Sequence, residues 1–289
     1  FPSHDLWGQS YGDHPLECEQ VFDVSKSNKA YEEDIEIPGF GLMPQKSEGT
    51  SVTYDSHTQG PTTRYTNVTY GMGFIVTEEE MEDNLYRSRA FKRTAMLARS
   101  ARHTKEVVCA NVLNRAFNSS YTGGDGLELC STAHVTLDGT QSNELAVAAD
   151  ISETAIEDMG VQIMNAKDTR GLRIALMPKK LIVPPDLWYE ATRIVKSDLQ
   201  NDTANNAINA IRSGGMFPEG VMVYHYLTDT DAWFIKTDAV DSLRLFNRRP
   251  LSFSQDGDFD TSNVKYKATE RYVPGWSDWR GLYGTPGAA

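Results

Sequence analysis

Cysteine is scarce: Cys18, Cys109 and Cys130 are the only three in 289 residues. Their spacing is neither paired nor metal-like, which argues against a disulfide-stapled or zinc-bound fold and makes a reducing compartment the simpler expectation. No apolar run approaches the roughly 18 residues of a membrane span, and no basic-then-apolar leader is readable, so neither a span nor a signal peptide is expected. Positive charge is also short. Against 40 Asp and Glu stand 28 Lys and Arg, a formal net charge of -12 with a pI near 5.0. This argues against wrapping nucleic acid through a continuous basic surface, but leaves open enclosing it without gripping it.

Catalytic motifs are missing as well. There is no HExxH, CxxC or GxSxG, and Gly123, Gly124 and Gly126 lack the following lysine and the strand-to-helix setting of a phosphate loop. Asp256, Asp258 and Asp260 are spaced like the opening of a calcium loop. Thr261 stands where that loop needs glycine and Lys267 where it needs a bidentate glutamate, so a polar turn is the better reading. His4, His14, His57, His103, His134 and His225 have no sequence neighbours that complete a triad, and read as surface or satisfied core histidines. Asp229 and Asp231 suit a turn better than acid-base work. No catalytic residue, metal or cofactor is expected.

What is present begins with a stretch that has no proline or glycine, from Thr77 to about Phe117. Thr77 is a good N-cap, Glu80 its capping-box partner, and Val76 with Met81 can close a hydrophobic staple. Apolar residues recur at Met81, Leu85, Phe91, Ala95, Ala98, Ala101, Val108, Val112 and Ala116. An acidic opening, Glu78 to Asp83, precedes basic residues from Arg87 to Lys105 on the other faces, an order that suits the helix dipole. As one helix it would span on the order of 60 Å, too long for one compact core. Two shorter helices or a coiled coil fit the same pattern.

Residues 1–39 read as an extended arm whose aromatics, Trp7 and Tyr11 among them, need covering. Thr50 to Tyr54, the polar turn Asp55 to Pro61 and the face shared by Val68, Tyr70, Met72, Phe74 and Val76 predict a long hairpin, either on the core or projecting onto another subunit. Ser119 to Thr140 reads as a surface loop. Asp150 with Glu153 caps a helix to about Lys167, Leu172 to Leu176 and Lys180 to Val183 are short strands, and Pro185 opens another helix. Asp198 to Gly215 is a loop or weak helix. Val221 to Leu227 and Ala232 to Ile235 form a hairpin, with His225 inside a strand. Leu243 to Phe246 is a strand, and Val264 to Tyr272 alternates as a strand with one wet face. Trp276, Trp279 and Tyr283 in the glycine- and proline-rich tail need packing partners.

This order of parts, with TEEEMEDNLY opening the helix, LCSTAHVTLDGTQSN from Leu129, LRIALMPKKLIVPPDLWYEATRIVKSD from Leu172 and VKYKATERYVPGWSDWRGLYG from Val264, resembles the major capsid proteins of tailed bacteriophages, the HK97-like family. The resemblance covers nearly the whole chain. It implies an α+β fold with an N-terminal arm (1–39), an extended loop or β-ribbon (40–76), a peripheral domain with a spine helix (77–145) and its sheet strands (241–274), an α/β axial domain (146–240) and a C-terminal return segment (275–289). It implies no enzyme but a virion subunit, assembled in the cytoplasm of a host bacterium as pentamers and hexamers of an icosahedral head. That head encloses double-stranded DNA without sequence-specific binding, touches no membrane, and involves scaffolding, portal and decoration proteins in some members.

Contact residues expected between subunits are Lys46, Tyr54 and Arg64 on the ribbon, Glu79 and Arg87 near the helix start, and Trp276, Asp278, Trp279 and Arg280 in the tail. Arg280 is chosen because a guanidinium can pair bidentately with a neighbour's carboxylate. Some members crosslink a ribbon lysine to a neighbour's asparagine, and Lys46 is the ribbon's only lysine. Many lose an N-terminal segment during maturation, which a chain starting at Phe1 fits. A protein-filled compartment shell of the same fold and an α/β hydrolase are the alternative readings.

Overall fold

Strands that alternate and helices that stripe sort themselves into two compact units, residues 1–32, 65–110 and 244–275 in the first and 33–64, 111–243 and 276–289 in the second. The computed structural model describes residues 16–56, 59–82, 86–200, 207–258 and 262–288. In chain order the elements begin with β1 (Asp23–Lys26), β2 (Tyr31–Ile35), β3 (Thr62–Thr66), β4 (Val68–Val76), α1 (Glu78–Glu82), α2 (Tyr86–Asn114), β5 (His134–Thr136) and β6 (Gly139–Gln141). There follow α3 (Glu153–Met164), β7 (Pro178–Val183), α4 (Trp188–Lys196), α5 (Ala210–Ser213), β8 (Val221–Val223), β9 (Trp233–Thr237), β10 (Leu243–Gly257), β11 (Val264–Trp276) and β12 (Leu282–Thr285). The fold is α+β.

The first unit is built on a sheet of order β1-β10-β11-β4, with β1 parallel to β10 and β4 antiparallel to β11 from Val264 opposite Val76 to Tyr272 opposite Val68. The expected hairpin partner of β4 is therefore replaced. Thr50 to Tyr54 forms no strand, and β4 is paired by β11 instead, while β3 pairs β2. Stacked rings across the ladder, Phe74 on Tyr266 at 5.0 Å and Tyr70 near Tyr272 at 4.7 Å, account for that choice, because an aromatic strand outcompetes a polar one as a neighbour. Alternation along β11 holds as expected, with Tyr266, Ala268, Glu270 and Tyr272 inside.

The long helix departs from expectation. Thr77 does cap α1, its Oγ1 accepting from the Glu80 N–H at 3.4 Å. Arg93 then grips Glu80 through both guanidinium nitrogens at 3.0 Å. Thirteen residues on one straight helix would separate these two by about 20 Å, beyond the reach of both side chains. Thus α1 and α2 are two helices inclined to each other, not one. The proposed staple partner Met81, and Leu85, fall outside the described side chains.

The buried stripe of α2 runs through Thr94, Leu97, Ala98, Lys105, Cys109 and Leu113, so Lys105 lies inside and not on the basic outer face. Its Nζ pairs with Glu270 at 2.9 Å and donates to Asn247 Oδ1 at 3.2 Å, and both charged side chains are almost sealed from solvent. The next residue, Glu106, accepts the backbone N–H groups of Glu17 at 2.6 Å and Cys18 at 3.1 Å. Burial pushes the Glu106 carboxyl upward despite those two donors. They anchor the described end of the arm, where Cys18, Val21 and Phe22 are buried within this chain; Trp7 and Tyr11 lie outside the described residues. A hydrogen bond to Cys18, with burial, holds the Cys109 thiol far above its ordinary value.

The second unit packs α3 and α4 on a sheet of order β12-β9-β7-β8. Ser152 caps α3 by accepting from Ala155 N–H at 3.1 Å, displacing Asp150, which instead takes the Ala288 N–H. The reason is the staple: with Ser152 as cap, Ile151 and Ile156 flank the first turn and both enter the core. Leu172 to Leu176 is not a strand, because Ala175 adopts φ +52°. Nor do β8 and β9 form a hairpin. The apolar run Leu181 to Val183 needs partners on both edges, so β7 lies between them, parallel to β8 and antiparallel to β9. His225 consequently sits exposed in a turn.

Candidate intersubunit surfaces

From residue 39 to 56 every residue is exposed and none belongs to a helix or strand. Yet the segment is not polar: Phe40, Leu42, Met43, Val52 and Tyr54 are all more than half exposed, Met43 at 97%. Large apolar side chains left exposed in one segment are a mark of an interaction surface. The segment is fastened at its base. Asp55 Oδ2 accepts from the Gly41 N–H at 3.0 Å and pairs with Arg170 at 2.5 Å, and Arg170 also donates to the Ser56 carbonyl.

The Gly41 N–H, joined by the Arg170 guanidinium, outweighs desolvation and holds the Asp55 carboxyl below its ordinary value. This tether is therefore complete at neutral pH and is lost only as the pH falls below about 4. Arg170→Ala is expected to raise amide exchange at Gly41 several-fold at neutral pH, while leaving exchange in β7 unchanged.

A second cluster gathers the tail. Trp279 stacks on His134 with ring centroids 4.3 Å apart. His134 is fully buried, its Nδ1 lying 2.6 Å from Asp125 Oδ2 and its Nε2 3.1 Å from Asn143 Oδ1. Burial pushes Asp125 upward, but the bonds from His134 and the Leu127 N–H outweigh it, and the carboxyl is left below its ordinary value. The Asn143 amide accepts from Ser131 N–H and reaches the carbonyls of Leu129, Trp279 and Leu282 at 2.7 to 3.1 Å. Replacing it by alanine strands several buried groups, so Asn143→Ala is expected to cost about 3 kcal/mol in urea unfolding.

The stretch Ser119 to Thr140, expected as a surface loop, is thus partly core, with Leu129, Cys130, Ser131 and His134 buried. Its His–Asp pair is sealed beneath a ring, with no nucleophile among these partners. Among the described residues no group of His, Cys, Asp and Glu could hold a metal, and no helix is long and apolar enough to cross a membrane.

The expected contact residues divide clearly. Lys46, Tyr54, Arg64 and Glu79 are exposed, Arg64 lying 4.0 Å from Glu33 of its own chain. Trp276 and Asp278 are half-buried, and the Arg87 side chain lies outside the described residues. Trp279 and Arg280 are buried. Arg280 was expected to meet a neighbour's carboxylate, but its guanidinium pairs with Asp278 at 3.1 Å and Glu36 at 3.5 Å and donates to the Lys167 carbonyl. Sequence reading passed over Arg170, Asp125 and Asn143. Arg170 and Asn143 meet partners more than a hundred residues away, and the Asp125–His134 pair, nine residues apart, matches no recognisable motif.

An apolar segment left exposed on an α+β body, with the polar clusters around it turned to internal bonding, is the kind of surface that other polypeptide covers. Residues 60–285 match the family described as phage capsid protein. The chain belongs to that family, and is a capsid-like, self-assembling structural protein.

Solved structures agree on the fold. A virus-like particle from Pyrococcus furiosus superposes with a TM-score of 0.56 at 12% identity, covering 98% of this chain and 97% of that one. The capsid of an empty GTA particle gives 0.57 at 10% identity, covering 95% and 90%. The bacteriophage JBD30 capsid gives 0.52 at 12% identity, covering 94% of this chain and 65% of that one. No curated protein sequence matches.

Proposed function

We propose that many copies of this chain close, as pentamers and hexamers, into an icosahedral head around double-stranded DNA. The observation that carries this reading is the exposed apolar segment 39–56, which a neighbouring copy would cover and which a solitary subunit leaves in water. On this reading the first unit is the peripheral domain and the second the axial domain, and Lys46, Tyr54, Arg64 and Glu79 face neighbours. Repetition matters energetically, because modest contacts made many times by each subunit compound on closure. A subunit charge of -12 favours loose enclosure of DNA over adhesion to it. Scaffolding, portal and decoration proteins are the further partners this function would call on.

The test is expression of the full chain followed by electron microscopy and nuclease digestion. Uniform shells holding nuclease-protected DNA, once the packaging proteins are supplied, support the proposal. Uniform shells that hold protein and never DNA support a compartment instead, and monomers under all physiological conditions overturn both.

A further inference from the structure

In a chain with twelve more negative than positive side chains, the charged residues that line one pocket of the first unit are all cations. Arg248, Arg249 and Arg271, with Ser27 and Asn28, surround a cavity of about 310 Å³, and no carboxylate lines it. Arg271 donates through Nε and Nη2 to the Asn67 carbonyl at 3.3 Å, and Arg249 donates to Thr269 Oγ1 at 3.2 Å. Neither acceptor is charged. Arg248 is less satisfied still, with a buried Nη1 that has no hydrogen-bond partner. Glu32, beside this lining, accepts from the Ser27 hydroxyl at 2.8 Å and pairs with Lys29, and Glu19 and Glu270 line the adjoining cavity that shares Arg248. Among the described residues, none of the three arginines forms an ion pair.

Three arginines bordering one cavity that no carboxylate lines leave it positively charged, and a guanidinium offers a planar fork suited to a carboxylate or phosphate. An anion entering the pocket would balance that charge. The same chain carries a matching group. Five of the six residues from Glu78 to Asp83 are acidic, the densest such run in the sequence. Within it Glu80 is taken by Arg93, whereas Glu78 and Glu79 are exposed on α1 and pair with no described residue. Subunits of like net charge repel on approach, so a contact between copies must bring local opposite charge together.

We infer that the Arg248, Arg249 and Arg271 pocket is a carboxylate-binding site that receives Glu78 and Glu79 of a second copy. The contact is heterologous: each copy gives α1 to one neighbour and its pocket to another. This rests on the self-assembling reading above, and goes beyond it by naming both halves of one contact. DNA phosphate is the competing anion. It is disfavoured because the chain carries a net charge of -12, which opposes adhesion to a nucleic acid backbone.

The test uses three variants of the full chain, each checked for native circular dichroism and then for shell yield by sedimentation and microscopy. Arg248→Glu with Arg249→Glu reverses the pocket, Glu78→Arg with Glu79→Arg reverses the partner, and the third variant combines all four. Each reversal alone is expected to lower shell yield by about tenfold or more, and the combination to recover most of it. Should the pocket reversal fail to fold, Arg248→Gln with Arg249→Gln reads the same loss of charge.

Normal assembly by the partner reversal overturns the inference, as does a combined variant that recovers nothing. Intact shells of the pocket reversal that fail to retain DNA would reassign the site to nucleic acid and overturn it likewise. Wild-type chain that never assembles would sink the shell function itself, a result distinct from all of these.

Discussion

Replacing Leu42, Met43, Val52 and Tyr54 together by serine is expected to abolish shell formation while leaving the subunit folded. All four are between 61% and 97% exposed in the isolated chain, so the fold draws little from them. Covering such side chains is worth about 1.5 to 3 kcal/mol each when burial is complete. Even half of that, removed from a contact repeated in every subunit, lowers the yield of closed particles by orders of magnitude. Circular dichroism and a urea midpoint close to wild type, with sedimentation only at the subunit position, are the expected readings. Shells of normal yield would show that the segment is not a contact, and a shifted midpoint would show that it packs on its own body.

The second large effect lies inside. Glu270→Gln is expected to destabilise the subunit by about 3 to 5 kcal/mol, because it leaves Lys105 charged and buried with Asn247 as its main neutral partner. Lys105→Met alone should cost a similar amount by stranding the carboxylate. The double variant Lys105→Met, Glu270→Leu should regain most of the loss, since an apolar pair of similar volume avoids desolvating two charges. Urea unfolding of the unassembled subunit measures all three. A Glu270→Gln cost under about 1 kcal/mol would mean that water reaches the pair.

These predictions also mark where sequence reading succeeded. The cap at Thr77, the alternation of β11 and the Pro185 turn into α4 were legible because each depends on residues within a few positions of one another. The stripe of α2 was only half legible. Thr94 and Lys105 are polar yet buried, and Lys105 is tolerated there only because Glu270, 165 residues away in sequence, meets it. Separation of 136 residues likewise hid that Asn143 reaches the Trp279 carbonyl, and Arg280 looked available although Glu36, 244 residues away, and Asp278 already hold it. Strand partners were misread for a related reason. Polarity patterns show which face of a strand is buried, but not which strand lies beside it, so β4 and β9 acquired neighbours that no local signal names.

The linear chain was enough to establish the α+β class, the family resemblance and the lack of recognisable chemistry, since composition, capping and periodicity are local properties. Folding in space settled the rest: which carboxylate each buried arginine or lysine meets, where the long helical stretch divides, and which apolar residues stay in water. Those outcomes depend on packing between residues far apart in the chain, where a buried charge persists only if a distant partner neutralises it.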